Sequence, residues 1–322
     1  MVVVFTIKPA AVRPGSSNKP PIRVSVESLD GLTVGELKKR YLEQIKSKHS
    51  IDRVRFTIES SNQLLAPNEK SLSALGVSED ITIAFKDLGP QISWKTVFIV
   101  EYFFPMIVFP FLWILVRKFP TSLITKSLYP KFISDASTLA WQDLLAAMFT
   151  LHFFKRELET FFVHRFGNDT MPLTNIFKNS IYYWLFAFWI AYVTLHPFFT
   201  VPASESRRSL GVFIFVLSEI LNLKTHLDLR NLRPAGTRIR RVPNGVLFRL
   251  VSCPNYLFEI LAWVGFTIAS QSIAAATFTF VGAAQMIPWA IQKHKRYKKE
   301  FDGQEGRELY PKNRKIIIPF LF

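Results

Sequence analysis

A multi-pass α-helical membrane protein, with a small soluble α+β domain at its N-terminus, is the fold class that this sequence predicts. Three observations carry it. Hydrophobic residues make up 49% of the 322 and charged residues only 20%, with 31 Phe and 7 Trp, a composition suited to a chain lying largely in lipid. The long apolar runs all follow Leu88-Gly89-Pro90, whereas the stretch before it is built of short polar and apolar blocks. Charge divides at the same place. Residues 1–90 hold 13 Lys+Arg against 10 Asp+Glu, net +3, and the remainder holds 27 against 14, net +13. The basic surplus therefore sits in the apolar part, where it meets anionic lipid or a phosphate-rich ligand, and segments of membrane length argue against a nucleic-acid partner.

Residues 1–87 read as the soluble domain. Val2–Lys8 and Ile22–Glu27 are strand-like runs around a Pro/Gly/Ser-rich turn, Pro14–Pro21. Thr33, with Glu36 three residues later, forms a capping-box pattern that opens an amphipathic helix ending near Ser47. Arg53–Glu59 and Ile81–Phe85 are further strands. The order ββαβ…β, with Leu64, Leu65, Leu72, Leu75 and Val77 before the last strand, resembles a ubiquitin-like β-grasp domain. It carries no diglycine end and runs on into apolar sequence, which makes it an appended interaction or regulatory module rather than a conjugated modifier.

Residues 88–93 form a linker, and 94–322 the membrane domain. Candidate membrane segments lie near 94–116, 138–154, 179–200, 209–223, 257–270 and 272–291, so six or seven transmembrane helices are expected, several of them shorter than the roughly 20 residues of an upright span. With both ends in the cytosol, segments 155–178, 224–249 and 292–322 hold 4, 7 and 9 Lys+Arg, against 4 and 2 in 117–137 and 201–208, which satisfies the positive-inside rule. Met1-Val2-Val3-Val4-Phe5 lacks the basic start of a cleaved signal. Cys253 is the only cysteine, which rules out an intrachain disulfide or a thiolate metal cluster and makes it a small packing residue.

Polar residues recur inside the membrane domain with helical spacing. Asn222, His226, Arg230 and Arg233 stand at i, i+4, i+8 and i+11, one stripe of a helix that continues into Arg238, Arg240, Arg241 and Arg249. Arginine is always charged and binds phosphate through a fork of donors. A basic loop facing anionic lipid is the plainer account, but the inclusion of Asn and His in the stripe points to a nucleotide site. No Gly-x-Gly-x-x-Gly occurs, so a Rossmann domain is not the route. Pro254 suits a helix start, which puts Asn255 and Glu259 on one face and Tyr256 beside them. A phenol near cations is a competent proton donor, and an interfacial aromatic belt is the competing account. Glu101, within Val97–Phe104, is a carboxylate at membrane depth that needs a partner or a role. Lys155 either snorkels or holds the acidic part of a ligand. His294 and Tyr297, in a basic tail stretch, are placed to close over a phosphate-bearing cofactor. His152, His226 and His294 do not have metal-site spacing, so no metal is expected.

These motifs resemble the steroid 5α-reductase family over residues 94–322. They are Asn222–Arg233, the Pro243-Asn244-Gly245 turn, Asn255-Tyr256-x-x-Glu259 with Trp263, and Tyr310-Pro311-Lys312-Asn313-Arg314-Lys315 followed by Ile318-Pro319-Phe320. Glu101-Tyr102, His152-Phe153-Phe154-Lys155-Arg156-Glu157 and Cys253-Pro254-Asn255-Tyr256, with the N-terminal domain, resemble its branch that reduces very-long-chain trans-2-enoyl-CoA. Tyr256 stands where steroid reductases have Phe, and His226 where they carry an acid.

The resemblance implies NADPH-dependent reduction of the 2,3 double bond at the last step of fatty-acid elongation. It implies an endoplasmic-reticulum membrane protein with the active site facing the cytosol, and other elongation enzymes as partners. Tyr256 becomes the proton donor, with Glu101 and Lys155 as further catalytic residues. Asn222, His226, Arg230, Arg233, Arg241, Asn255, Glu259, Trp263, His294 and Tyr297 become the cofactor-binding residues. The competing readings are a steroid or polyprenol reductase, an S-adenosylmethionine-dependent membrane methyltransferase, and a non-catalytic membrane scaffold.

Overall fold

The computed structural model describes residues 3–9, 20–77, 81–129, 136–166, 169–233, 241–304 and 306–321. It separates into two compact units, Met1–Ser93 with Thr170–Asn175, and Trp94–Asp169 with Ile176–Phe322.

The first unit is built on strands β1 (Val3–Pro9) and β2 (Ile22–Val26), helix α1 (Val34–Gln44), and strands β3 (Val54–Ile58), β4 (Leu64–Leu65) and β5 (Thr82–Asp87). The sheet order is β2-β1-β5-β3-β4, with β1 and β5 parallel and the other pairs antiparallel. Alternation in Val3-Val4-Phe5-Thr6-Ile7 turns Val3, Phe5 and Ile7 inward, and β3 does the same with Val54, Phe56 and Ile58. Leu37 and Tyr41, one turn apart on α1, close over that face. Thr33 Oγ1 accepts from the Glu36 backbone N–H at 3.2 Å, which caps the start of α1. A two-stranded ribbon, β6 (Gln91–Ser93) with β7 (Thr170–Pro172), completes this unit.

The helical unit contains α2 (Trp94–Lys118), α3 (Leu123–Leu128), α4 (Ala136–Leu158), α5 (Thr174–Thr194), α6 (Glu205–Asn231), α7 (Val246–Leu250), α8 (Pro254–Ser270) and α9 (Ile273–Glu300). The six longest fall on the expected segments, with α5 ending at Thr194 rather than near 200, and with α6 and α9 extending beyond theirs at their basic ends. Among the described residues, three helices, α2, α6 and α9, are long and apolar enough to cross a membrane. Pro105 and Pro110 lie inside α2 and Pro288 inside α9, as membrane helices tolerate. Phenylalanines and tryptophans such as Phe103, Phe111, Phe188 and Trp189 are exposed on the outside, the pattern of a surface solvated by lipid. The most extensive helix pairing is α6 with α8, followed by α2 with α4. Gly211 and Gly265 bring the α6 and α8 backbones together. A Cβ on Gly265 would lie 2.5 Å from the Phe215 nitrogen, and one on Gly211 2.5 Å from the Ala269 nitrogen.

Candidate active site

Three helix stripes meet inside the helical unit. On α4, His152, Lys155 and Arg156 stand at i, i+3 and i+4, and Glu159 follows one turn later in a short π-helical turn, Glu159–Val163. On α6, Glu219, Asn222 and His226 share a face. On α8, Pro254 at the first position starts the helix and sets Asn255, Glu259 and Trp263 one turn apart.

These side chains form one polar network. His152 Nδ1 is 2.7 Å from Glu219 Oε1, and its Nε2 is 3.4 Å from Glu259 Oε1. Lys155 Nζ lies 2.7 Å from Glu219 Oε2 and donates to Asn222 Oδ1 at 2.8 Å. The amide of Asn222 in turn donates to the Asn255 carbonyl at 2.9 Å and Glu259 Oε2 at 3.4 Å. Trp263 Nε1 donates to Glu259 Oε1 at 3.3 Å. Arg156 donates to Glu159 Oε2 at 2.7 Å and to the Tyr102 hydroxyl at 2.9 Å, and His226 Nδ1 sits 3.0 Å from the same Glu159 oxygen. Charges this deep in a helical bundle persist only when paired, and here each carboxylate of the network faces a cation or an imidazole.

Beside the network opens a cavity of about 390 Å³. Its cations are Arg165, Arg230, Arg233, Arg241, Lys293 and Arg296, its imidazoles His164 and His226, and its aromatic walls include Trp94, Phe98, Phe166, Tyr256 and Tyr297. No carboxylate lines it among the described residues. Part of the rim is fixed by its own arginines. Arg233 donates to the carbonyls of Arg165 and Phe166 at 2.9 and 3.0 Å, and Arg165 donates back to the carbonyls of Arg230, at 3.1 Å, and Arg233. Burial, and after it the Arg156 guanidinium, push His164 down to about 3, so its ring is neutral. Its Nε2 is buried without a hydrogen-bond partner among the described residues.

The expected site residues divide into three groups. His226, Arg230, Arg233, Arg241, Tyr256 and Tyr297 line the cavity. Asn222, Glu259, Trp263 and Lys155 belong to the buried network through their side chains, and Asn255 through its backbone carbonyl, its side-chain Oδ1 being buried without a hydrogen-bond partner among the described residues. His294 and Glu101 lie in neither group. His294 Nδ1 is 2.6 Å from Ser252 Oγ, which also accepts from the Tyr310 hydroxyl at 2.7 Å, so His294 ties the tail to the start of α8 rather than reaching the cavity. Glu101 accepts from Asn179 Nδ2 of α5 at 2.8 Å, and among the described residues no hydrogen bond or ion pair joins it to Lys155 or Tyr256. Helix-to-helix hydrogen bonding, the plainer account of a carboxylate at that depth, describes its contacts. Arg238 and Arg240 fall outside the described residues.

A pocket rich in arginine and free of carboxylate, walled by aromatic rings, suits a ligand carrying phosphates and a planar base. The comparisons with known proteins bear on which one. The very-long-chain enoyl-CoA reductase of Dictyostelium discoideum is 42% identical over 306 residues, 92% of this chain and 94% of that protein. The probable very-long-chain enoyl-CoA reductase of Caenorhabditis elegans is 42% identical over 307 residues, with the same coverage. The chain belongs to the very-long-chain enoyl-CoA reductase family. The human trans-2,3-enoyl-CoA reductase-like protein is 30% identical over 259 residues, 78% of this chain and 67% of its own length. Residues 169–322 also match the family described as 3-oxo-5-alpha-steroid 4-dehydrogenase.

For a reductase family the arginine cavity has the donor set of a nicotinamide dinucleotide site. Several residues that build the site were not singled out individually in the sequence, although Lys293 and Arg296 fall within its basic tail stretch, residues 292–299, expected to close over a phosphate-bearing cofactor. Glu219 and Glu159 anchor the network, Asn179 holds Glu101, and Lys293, Arg296, His164 and Arg165 line the cavity. The spacing Glu219/Asn222/His226, and its counterpart His152/Lys155/Arg156/Glu159, is the signal from which the two glutamates were recoverable.

Proposed function

We propose that this protein reduces very-long-chain trans-2-enoyl-CoA to the saturated acyl-CoA with NADPH, as the last step of the fatty-acid elongation cycle. The carboxylate-free cavity, with Tyr256 among its cations, carries this reading. The names of relatives 42% identical over nearly the whole chain support the substrate class. Arg230, Arg233, Arg241 and Arg296 would hold the phosphates, and Tyr297 and Trp94 would flank the rings. When bound, the dihydronicotinamide supplies hydride to the β-carbon. Tyr256 donates its phenolic proton to the α-carbon, and the cations around it stabilise the charge that develops. Asn222, Lys155, Glu259 and His152 hold α4, α6 and α8 in register behind the cavity.

In this reading residues 1–87 are a ubiquitin-like module, which the sheet order and the helix over one face support. Residues 88–93 are the linker, and 94–322 the catalytic domain. The basic segments fit an endoplasmic-reticulum protein with its termini and site toward the cytosol. Other elongation enzymes would be its partners.

The test is NADPH oxidation by detergent-purified protein given a long-chain trans-2-enoyl-CoA, with Tyr256→Phe in parallel. Turnover by the parent, with a loss of about 10²–10⁴ in kcat for the variant, is expected. Full activity in Tyr256→Phe removes the donor role. Turnover of a 3-oxo-Δ4-steroid but not of the enoyl-CoA favours the steroid branch, whose family description matches residues 169–322.

A further inference from the structure

Lys293 is absent from the stripe motifs, and its surroundings are unusual for a cation at a helix–helix contact. Its ammonium nitrogen stands 5.5 Å from the centre of the Tyr256 ring and 5.8 Å from that of Tyr297. No carboxylate pairs with it among the described residues, and none lines the cavity that it shares with both rings. Tyr256 itself is held firmly. Its ring packs on the buried cluster of Cys253, Ala290 and Ile317, and the Cys253 thiol reaches the Ala290 carbonyl of α9 at 3.9 Å. Among the described residues the lysine therefore has two phenol rings as close neighbours and no carboxylate as counter-ion.

We propose that Lys293 is the positioning cation of the Tyr256 phenol, steadying the ring and stabilising the phenolate left when its proton goes to the substrate. This rests on the reading of Tyr256 as donor. In that step a hydride leaves a dihydronicotinamide, which is oxidised, and forms a C–H bond at the β-carbon of the enoyl thioester, which is reduced. The π electrons move toward the α-carbon and thioester carbonyl. The Tyr256 O–H bond breaks as the α-carbon gains the proton, and the phenolate regains one from water. An ammonium 5.5 Å from the centre of the ring on which the negative charge develops, partly shielded from water, favours that charge more than it would in solution. The other ionisable groups facing Tyr256 are Cys253 at the start of α8, Arg296 and Tyr297 on α9, and His164, Arg165, His226, Arg230, Arg233 and Arg241 around the cavity. Of the cations, Lys293 is placed over the Tyr256 ring.

The experiment compares full-length Lys293→Gln, Lys293→Arg and Tyr256→Phe with the parent, in detergent. It reads kcat, KM for cofactor and for enoyl-CoA, and kcat/KM against pH. Lys293→Gln is expected to lower kcat about 10- to 100-fold with both KM values nearly unchanged. It is expected to carry the alkaline limb of the profile about one pH unit higher, because the phenol has lost its cation. Lys293→Arg is expected to restore most of kcat and the position of the limb. A parental kcat with an unmoved limb in Lys293→Gln overturns the proposal. So does a raised cofactor KM at unchanged kcat, which would make Lys293 a phosphate ligand. Where the Gln variant does not fold, judged by its thermal unfolding in detergent, Lys293→Met offers a neutral side chain of similar length for the same measurements. Failure of the donor reading is separable, since there Tyr256→Phe stays active. If Tyr256→Phe collapses and Lys293→Gln moves nothing, only the role of Lys293 is lost.

Discussion

In the N-terminal unit the largest fully buried side chains are Phe5, Ile7, Leu37, Phe56, Leu65 and Leu72, and a buried charge is the exception, Lys38, whose ammonium donates to Asn68 Oδ1 at 2.8 Å. In the helical unit Glu101, His152, Glu159, Asn222 and His226 are buried alongside the aromatic core, while phenylalanines crowd the outer surface. The contrast follows from the solvent each surface meets. Water drives apolar groups inward, so the sheet and α1 of the first unit are held by burial of an apolar face. Lipid offers no such drive between helices, and close backbone approach and polar links take its place. The Gly211–Gly265 crossing supplies the approach, and the network joining His152, Lys155, Glu219, Asn222 and Glu259 supplies the links.

That comparison is broken most severely at the glycine crossing. Any side chain on Gly265 meets the backbone of Phe215 and Gly211, which cannot rotate away. Gly265→Leu is therefore expected to leave no folded helical unit, read as loss of a cooperative thermal transition in detergent and of all turnover. Intact turnover would show that the α6–α8 contact is not what supports the site.

Truncating the apolar core of the other unit comes next. Phe56 is fully buried with its ring edge-on to Tyr41, at a centroid distance of 5.5 Å. Phe56→Ala is expected to cost about 4 kcal/mol, much of the stability of a small domain. Limited proteolysis should then degrade residues before the linker while cofactor binding by the rest persists. Loss of cofactor binding in that variant would mean that the helical unit depends on the first.

The smallest effect sharpens the contrast in charge. Asp87 is held below the usual carboxylate range by its two hydrogen bonds with Arg53, at 3.1 and 2.7 Å, and then by the Gly89 N–H. A depressed acid adds stability above its unfolded value, and that contribution fades as pH falls through the folded one. The N-terminal unit should lose a little stability on acidification below about pH 4, and Asp87→Asn should flatten that slope. Because the pair is half exposed, the change is small and is read best as a shift in urea midpoint against pH.

The elements themselves were legible in the sequence because their causes are local. Thr33 with Glu36 marks the start of α1, Pro254 the start of α8, alternation marks β1 and β3, and apolar length marks α2. The cationic end of α6 was readable as far as Arg230, which follows from helical spacing, whereas Arg233, expected on the same stripe, lies past the end of the helix at Asn231. Partner choice was not readable. Asn222 and Glu259 are turned into a network, Glu101 is held by Asn179 of α5, and His294 is bonded to Ser252, because those contacts depend on which helix faces meet.

The sequence by itself thus determined where helices and strands form and which stripes carry charge, since periodicity, caps and apolar length act within a few residues. Only the tertiary structure decided that Glu219 serves both His152 and Lys155, and that Arg165 and Arg233 clasp each other's backbone. It alone set Lys293 against Tyr256. Such pairings join residues dozens of positions apart, and a buried charge takes the counterpart that helix packing brings within reach.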